Sequence, residues 1–353
     1  MQMRLCANVH NRINLTSDNK KVSELRICYN HTNMDRGGEV AIPAPYGALT
    51  GIGAVREYIR RSKAVNSVRA YDSDWRHFRA WCGLKNQSAL PAAPEIVAAY
   101  LAEIAAWART STVMRRVSAI SQAHQVAGHE SPARHIVVRS VLAGIRRTHG
   151  SAQAGKNPLR VEDLRRIAGQ LPETAQGIRD RALLLAGFAG AFRRSELIGL
   201  DTGDLEFVPD GLVVRLRRSK TDQEGQGRRV GIPAGANPET CAVRAVSEWL
   251  RLIGRADGPV FRSVNRHGQI GEERLSDRAV ALIVKRLAAR AGLDARSYAG
   301  HSLRAGLATS AAAAGASERS IMAQTGHRDV GTALRYIREG SLFADNAAAN
   351  AGL

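Results

Sequence analysis

From about residue 51 to 149, apolar side chains return at every third or fourth position, and that single period decides most of what the chain can fold into. In VNSVRAYDSDWRHFRAWCGL the spacing puts Val68, Tyr71, Trp75, Phe78 and Trp81 on one stripe, which predicts an amphipathic helix. A second helix follows the PAAP break in EIVAAYLAEIAAWA. A third, TSTVMRRVSAISQAHQVAG, opens on Thr/Ser caps and closes at Gly128; a fourth is SPARHIVVRSVLAGIRRTH. Residues 51–149 are therefore expected to form a small all-helical domain. Residues 1–50 hold polar runs such as NLTSDNKK and no sustained period, and read as a flexible arm. The small, polar stretch GSAQAGKNPLR (150–160) reads as an interdomain linker. Residues 161–340 form the second domain, with helices around 161–170 and 178–190. The period then changes in GLVVRLRRSKTDQEGQGRRVGIP, where two β-like runs flank a glycine-bearing turn. Helices resume from about 239, 276, 302, 317 and 329, and residues 341–353 form a tail. The expected class is mainly α with a small antiparallel sheet, in two domains.

Charge narrows the partners. The chain carries 51 Lys+Arg against 32 Asp+Glu, a formal +19 spread along its length. Such a surplus favours a polyanion, since each cation set on a phosphate releases a condensed counterion. A membrane surface is the weaker match, because neither a basic amphipathic helix nor a lipidation motif is present. No run reaches the roughly 18 apolar residues of a membrane span. The opening MQMRLCANVHNRINL lacks the apolar core of a secretory signal. The four cysteines are scattered without metal-type spacing, which fits free thiols in the cytoplasm; neither metal nor cofactor is expected.

Four places in the second domain carry cations or histidines beyond structural need. In AFRRSELIGL, a helix would put Arg193 on one face with Glu196, Leu197 and Leu200. Lys220 sits at the mouth of the hairpin turn. In GHSLRAG, His301 and Arg304 share a face at a helix start, where free N–H groups already attract phosphate. In GHRDVGTALRYI, Gly326 and His327 are followed nine positions on by Tyr336. Each alone has a plain structural reading: a surface ion pair, a solvated lysine, a core histidine, a packing aromatic.

Taken together, the order Arg–Lys–His-x-x-Arg–His–Tyr is the set that phosphodiester transesterification needs. At this point the chain resembles the tyrosine recombinase (phage integrase) family. RRSEL matches its R-x-S-E-L box, RSKT its lysine hairpin, HSLR its H-x-L-R box and GH(x8)Y its ending, across about 160–340. The helical domain resembles the core-binding domain of Cre-type recombinases through AWCGLKN and PAAPEIVAAYL. His327 stands where Cre itself has tryptophan, while most of the family has histidine.

The resemblance implies a two-domain C-shaped clamp around double-stranded DNA. Tyr336 would be the nucleophile, Arg193, Arg304 and His327 would hold the phosphate, and Lys220 would protonate the leaving oxygen. His301 would accept or relay the tyrosine's proton, with Glu196 as an orienting residue. Thr110, Thr112, Arg115 and Arg116 on the third helix would face the major groove. It also implies a homotetramer on two duplexes, with residues 341–353 docking on a neighbouring protomer. Two rival readings remain open from the residues alone: a type IB topoisomerase and a DNA-binding protein without catalysis.

Overall fold

The computed structural model describes residues 65–151, 155–217, 227–327 and 329–340. The expected arm (1–50), Lys220 and the tail (341–353) lie outside the described residues. The chain divides into two compact units, one ending at Gln153 and the next beginning at Ala154. The described residues are mainly helical, with two small antiparallel sheets among them.

The first unit contains α1 (Val65–Leu84), α2 (Pro94–Ala105), α3 (Thr110–Val126) and α4 (Ile136–His149). Pro94 opens α2, where its missing N–H costs nothing. Helix α1 packs on α3 and α2 on α4, burying Trp75, Phe78, Tyr100, Leu101, Ile104, Val113 and Ile120. Each such large side chain contributes about 1.5–3 kcal/mol. Val68, expected on the buried stripe, is 44% exposed. Helix α3 does not open on a Thr/Ser cap either. Arg109 is the extended residue before it, and no side chain caps the first turn. Thr110 Oγ1 donates instead to the Gly150 carbonyl at 2.7 Å.

The second unit contains α5 (Val161–Gly169), α6 (Ala175–Ala189), α7 (Arg194–Gly199), α8 (Ala242–Ile253), α9 (Asp277–Arg290), α10 (His301–Ala313), α11 (Glu318–Thr325) and α12 (Val330–Gly340). Helix α6 begins earlier than the apolar pattern suggests, because Thr174 Oγ1 accepts from the Gly177 amide. It is buried on most sides and packs on α8 and α10. The expected hairpin forms between β2 (Gly211–Leu216) and β3 (Arg228–Pro233), with Val214 opposite Val230. Two additions escaped the sequence reading: β1 (Leu205–Val208) beside β2, and the pair β4 (Arg262–Val264) with β5 (Ile270–Arg274). Such short runs display no readable alternation.

Part of the expected linker belongs to the second unit. Leu159 is fully buried, and the amides of Asn157 and Leu159 donate to the carbonyls of Ser297 and Ser302. Helix α10 meets this segment at Gly306, where a Cβ would stand 1.9 Å from the Leu159 carbonyl oxygen. Only glycine permits that approach.

Candidate active site

The site begins at the corner between α6 and α7. Ala191 has φ 49, a left-handed conformation that non-glycine residues adopt at a cost. Its carbonyl consequently accepts Arg304 Nη1 at 2.8 Å. Arg193 is the extended residue immediately before α7, not a member of the helix as the sequence reading had it. Glu196 in the first turn reaches back to it twice. One carboxylate oxygen accepts the Arg193 amide at 2.9 Å, and the other accepts Arg193 Nη1 at 2.6 Å. The capping bond and the ion pair together fix where the guanidinium points.

His301 is the first residue of α10 and Arg304 lies one turn on. Arg304 is 1% exposed, and its Nη2 is buried without a hydrogen-bond partner among the described residues. A buried cationic donor left open is costly unless something fills the place. Across from it, Tyr336 on α12 packs with Ile337 against Ala308, Ala312 and Ile321. Its hydroxyl lies 2.6 Å from His301 Nε2. His327 stacks on the Tyr336 ring at 6.0 Å between centroids and 16° between planes.

Burial and neighbouring cations push both imidazoles below their ordinary range, toward the uncharged form. His327 is pushed down to about 4, first by burial and then by Arg304, Arg193, His301 and Arg228. His301 is also lowered, by burial and then by Arg304 and Arg193. Arg304 itself falls to about 10, chiefly through burial and then Arg193. A neutral His301 can present a lone pair to the tyrosine hydroxyl. The Thr325 hydroxyl donates to the Ile321 carbonyl at 2.7 Å, so at 2.9 Å it accepts from His327 Nδ1–H. That leaves His327 Nε2 facing away from Thr325.

The structure thus gathers Arg193, Glu196, His301, Arg304, His327 and Tyr336. Thr325, Gln324 and Arg228 also belong to this neighbourhood and were missed. Gln324 Nε2 donates to the carbonyls of Ala189 (2.8 Å) and Gly231 (3.1 Å). Arg228 reaches the last carbonyls of α11. An arginine opening a hairpin strand carries no sequence signal; Thr325, two residues before His327, carries only its proximity. Among the described residues, no group of three His, Cys, Asp or Glu could hold a metal ion, and no helix is long and apolar enough to cross a membrane.

The four groove candidates on α3 part company. Thr110 and Thr112 are half-buried and Arg115 is exposed. Arg116 is buried at 9% exposure. Its Nη1 donates to the Tyr100 hydroxyl at 3.0 Å, and its guanidinium lies 5.1 Å from the Trp107 ring centroid. Its planar head is therefore used inside the helical unit, against the expectation that it faces DNA.

Comparison with known proteins supplies the family. The chain is 43% identical over 293 residues to an integrase/recombinase XerD homolog of Selenomonas ruminantium, covering 82% of this chain and 86% of the relative. It is 27% identical over 283 residues to the Cre recombinase of Escherichia phage P1, covering 74% and 81%. Among solved structures, the XerH site-specific recombinase bound to a palindromic difH substrate, in a post-cleavage complex, shares the fold. Its TM-score is 0.59 at 18% identity, over 83% of this chain and 80% of that one. Residues 157–341, more than half of the sequence, match the phage integrase family. This chain is a member of that family, the tyrosine recombinases.

Proposed function

We propose that the chain is a site-specific DNA recombinase that cuts and rejoins strands through a 3′-phosphotyrosyl intermediate. The observation that carries this reading is the 2.6 Å contact between His301 Nε2 and the Tyr336 hydroxyl, with the imidazole pushed toward its neutral form by burial and by Arg304. His301 takes the tyrosine's proton as its oxygen attacks the scissile phosphorus. Negative charge grows on the non-bridging oxygens, where Arg193 and Arg304 supply fork-shaped donors, the open Arg304 Nη2 among them. His327 adds a bond from Nε2 once the phosphate draws a proton onto it. Lys220 protonates the departing 5′-oxygen. The phosphotyrosyl link conserves the bond's energy, so rejoining needs no nucleotide.

The helical unit and the catalytic unit, residues 161–340, would both contact the duplex. Thr110, Thr112 and Arg115 would face the major groove. The working assembly is a homotetramer on two duplexes carrying inverted repeats, acting on nucleoid DNA in the cytoplasm. A cavity of about 430 Å³ in the catalytic unit, lined by Leu164, Leu185, Phe188, Leu307 and Ile321, supports this reading. Its apolar walls match Leu342 and Phe343 of a neighbour's tail.

The test is incubation of the full chain with a nicked duplex carrying the repeat that it enriches from a random-sequence pool. A covalent adduct on a denaturing gel, lost in Tyr336→Phe, is expected. No adduct on any duplex would leave a binding protein, and relaxation of plasmid lacking the repeat would make it a topoisomerase. Slow cleavage by Lys220→Ala should recover on a 5′-bridging phosphorothiolate, whose thiolate leaves unprotonated. Deleting residues 341–353 should abolish recombination but keep half-site binding; full activity without them would reject the docking.

A further inference from the structure

We infer that Arg228, at the start of β3, is a positioning residue that ties Glu196 to the turn carrying His327, and so sets the two sides of the phosphate site together. The inference rests on the reaction proposed above. Four observations carry it.

Arg228 Nη1 donates to the Gln324 carbonyl at 3.1 Å and also reaches that of Ala323 at 3.4 Å. These are last-turn carbonyls of α11, which have no partner within the helix and bear its negative dipole end. Nη2 of the same guanidinium lies 3.9 Å from Glu196 Oε2, whose carboxylate already holds Arg193. Helix α11 ends at Gly326 with φ 64, and a Cβ there would fall 2.8 Å from Arg228 Cζ. The guanidinium thus occupies the space beside the turn that delivers His327. Finally, Arg228 Nε is buried without a hydrogen-bond partner among the described residues. A lysine placed there could reach one carbonyl or the carboxylate, but could not bridge them with a rigid fork.

The experiment measures single-turnover adduct formation on the enriched nicked duplex. It uses the wild type, Arg228→Gln, Arg228→Lys, His327→Asn and the Gln/Asn double variant. Arg228→Gln is expected to cleave about 30–100-fold more slowly while binding the duplex within about threefold of wild type. Arg228→Lys should recover part of the loss. The double variant should fall well short of the product of the two single losses, because Arg228 works partly through His327. An unchanged cleavage rate, losses that multiply, or an affinity loss equal to the rate loss would overturn the assignment. If the wild type forms no adduct, the proposed reaction fails instead. Arg228 is then judged by the His327 ring resonances in the full chain. The His327 pKa, held down by burial and by cations that include Arg228, should rise in Arg228→Gln, which removes that cation, and less in Arg228→Lys, which keeps it; an unmoved midpoint in Arg228→Gln would overturn the inference.

Discussion

Asp74 in the helical unit and Glu196 in the catalytic unit are both buried carboxylates facing arginines, at 3% and 4% exposure. Asp74 takes a two-pronged pair from Arg115, at 2.7 and 3.1 Å, with Arg116 Nε at 3.6 Å. Glu196 holds Arg193 and faces Arg228, and it also lies in the field of Arg304. Three guanidiniums there share one carboxylate. The histidines repeat the contrast. His124 accepts the Ala92 amide at 2.9 Å through Nε2 and donates to the Ile120 carbonyl at 2.8 Å through Nδ1, so both nitrogens are used in holding the fold. His301 instead spends one nitrogen on a tyrosine hydroxyl. Both regions leave a buried guanidinium nitrogen without a hydrogen-bond partner among the described residues, Arg116 Nε in one and Arg304 Nη2 in the other. Only the second gathers three guanidiniums about one carboxylate, a cationic surplus that an anion would balance.

Substitutions can break this contrast. The largest effect should come from Tyr336→Phe, which removes the nucleophile and leaves the surplus untouched. Adduct formation should fall by about three orders of magnitude or more, while duplex affinity stays within about twofold. A residual adduct on a denaturing gel would move the nucleophile elsewhere. Next is Arg304→Met, where cleavage should fall about 10²–10³-fold. Thermal stability should hold or rise, because a buried cation lacking its own carboxylate is removed. A marked fall in melting temperature would show that the surplus belongs to the fold. The mirror experiment is Asp74→Ala, which strands Arg116 and should cost about 3 kcal/mol in denaturant unfolding. A loss below about 1 kcal/mol would mean that Asp74 contributes little more than an exposed pair.

Smaller effects should appear with pH, and with opposite signs in the two regions. The His124 pKa is lowered, chiefly by burial, so between its folded value and 6.5 the unfolded chain binds the extra proton. Stability of the helical unit should therefore decline as pH falls below about 6.5, and His124→Gln should flatten that slope. His327 begins at about 4, and a bound phosphate offsets the surrounding cations and raises it. Duplex binding should then take up protons and tighten as pH falls from 7 to 5. Calorimetry in two buffers of different ionisation enthalpy measures that uptake, and none in wild type would remove His327 from the phosphate contacts.

How far the chain could be read from sequence follows from the same physics. Helices α1 to α4 show long apolar periods, and the boxes around Arg193, His301, Arg304, His327 and Tyr336 show because reaction chemistry fixes residue type and spacing together. Arg116 does not show. On a helix bearing Thr110, Thr112 and Arg115 it looks like one more exposed cation, and only tertiary packing brings Tyr100 and Trp107 around it. Arg228 and Gln324 are hidden for a related reason, since their partners are backbone carbonyls, which any sequence provides. The bent peptide at Ala191 is equally silent, because an alanine gives no hint of a left-handed conformation. Strands β1, β4 and β5 are held by register with their neighbours and are too short to show a period of their own.

The bonds from Asn157 and Leu159 have a mechanical meaning. The peptide that enters the second unit is stitched first to Ser297 and then to Ser302, the residue after His301, and Gly306 lets α10 lie against it. Tension along the connecting chain would therefore bear on the turn at Ser297 and on the start of α10. A tug at the linker and a shift of the imidazole against Tyr336 are, in force terms, neighbouring events.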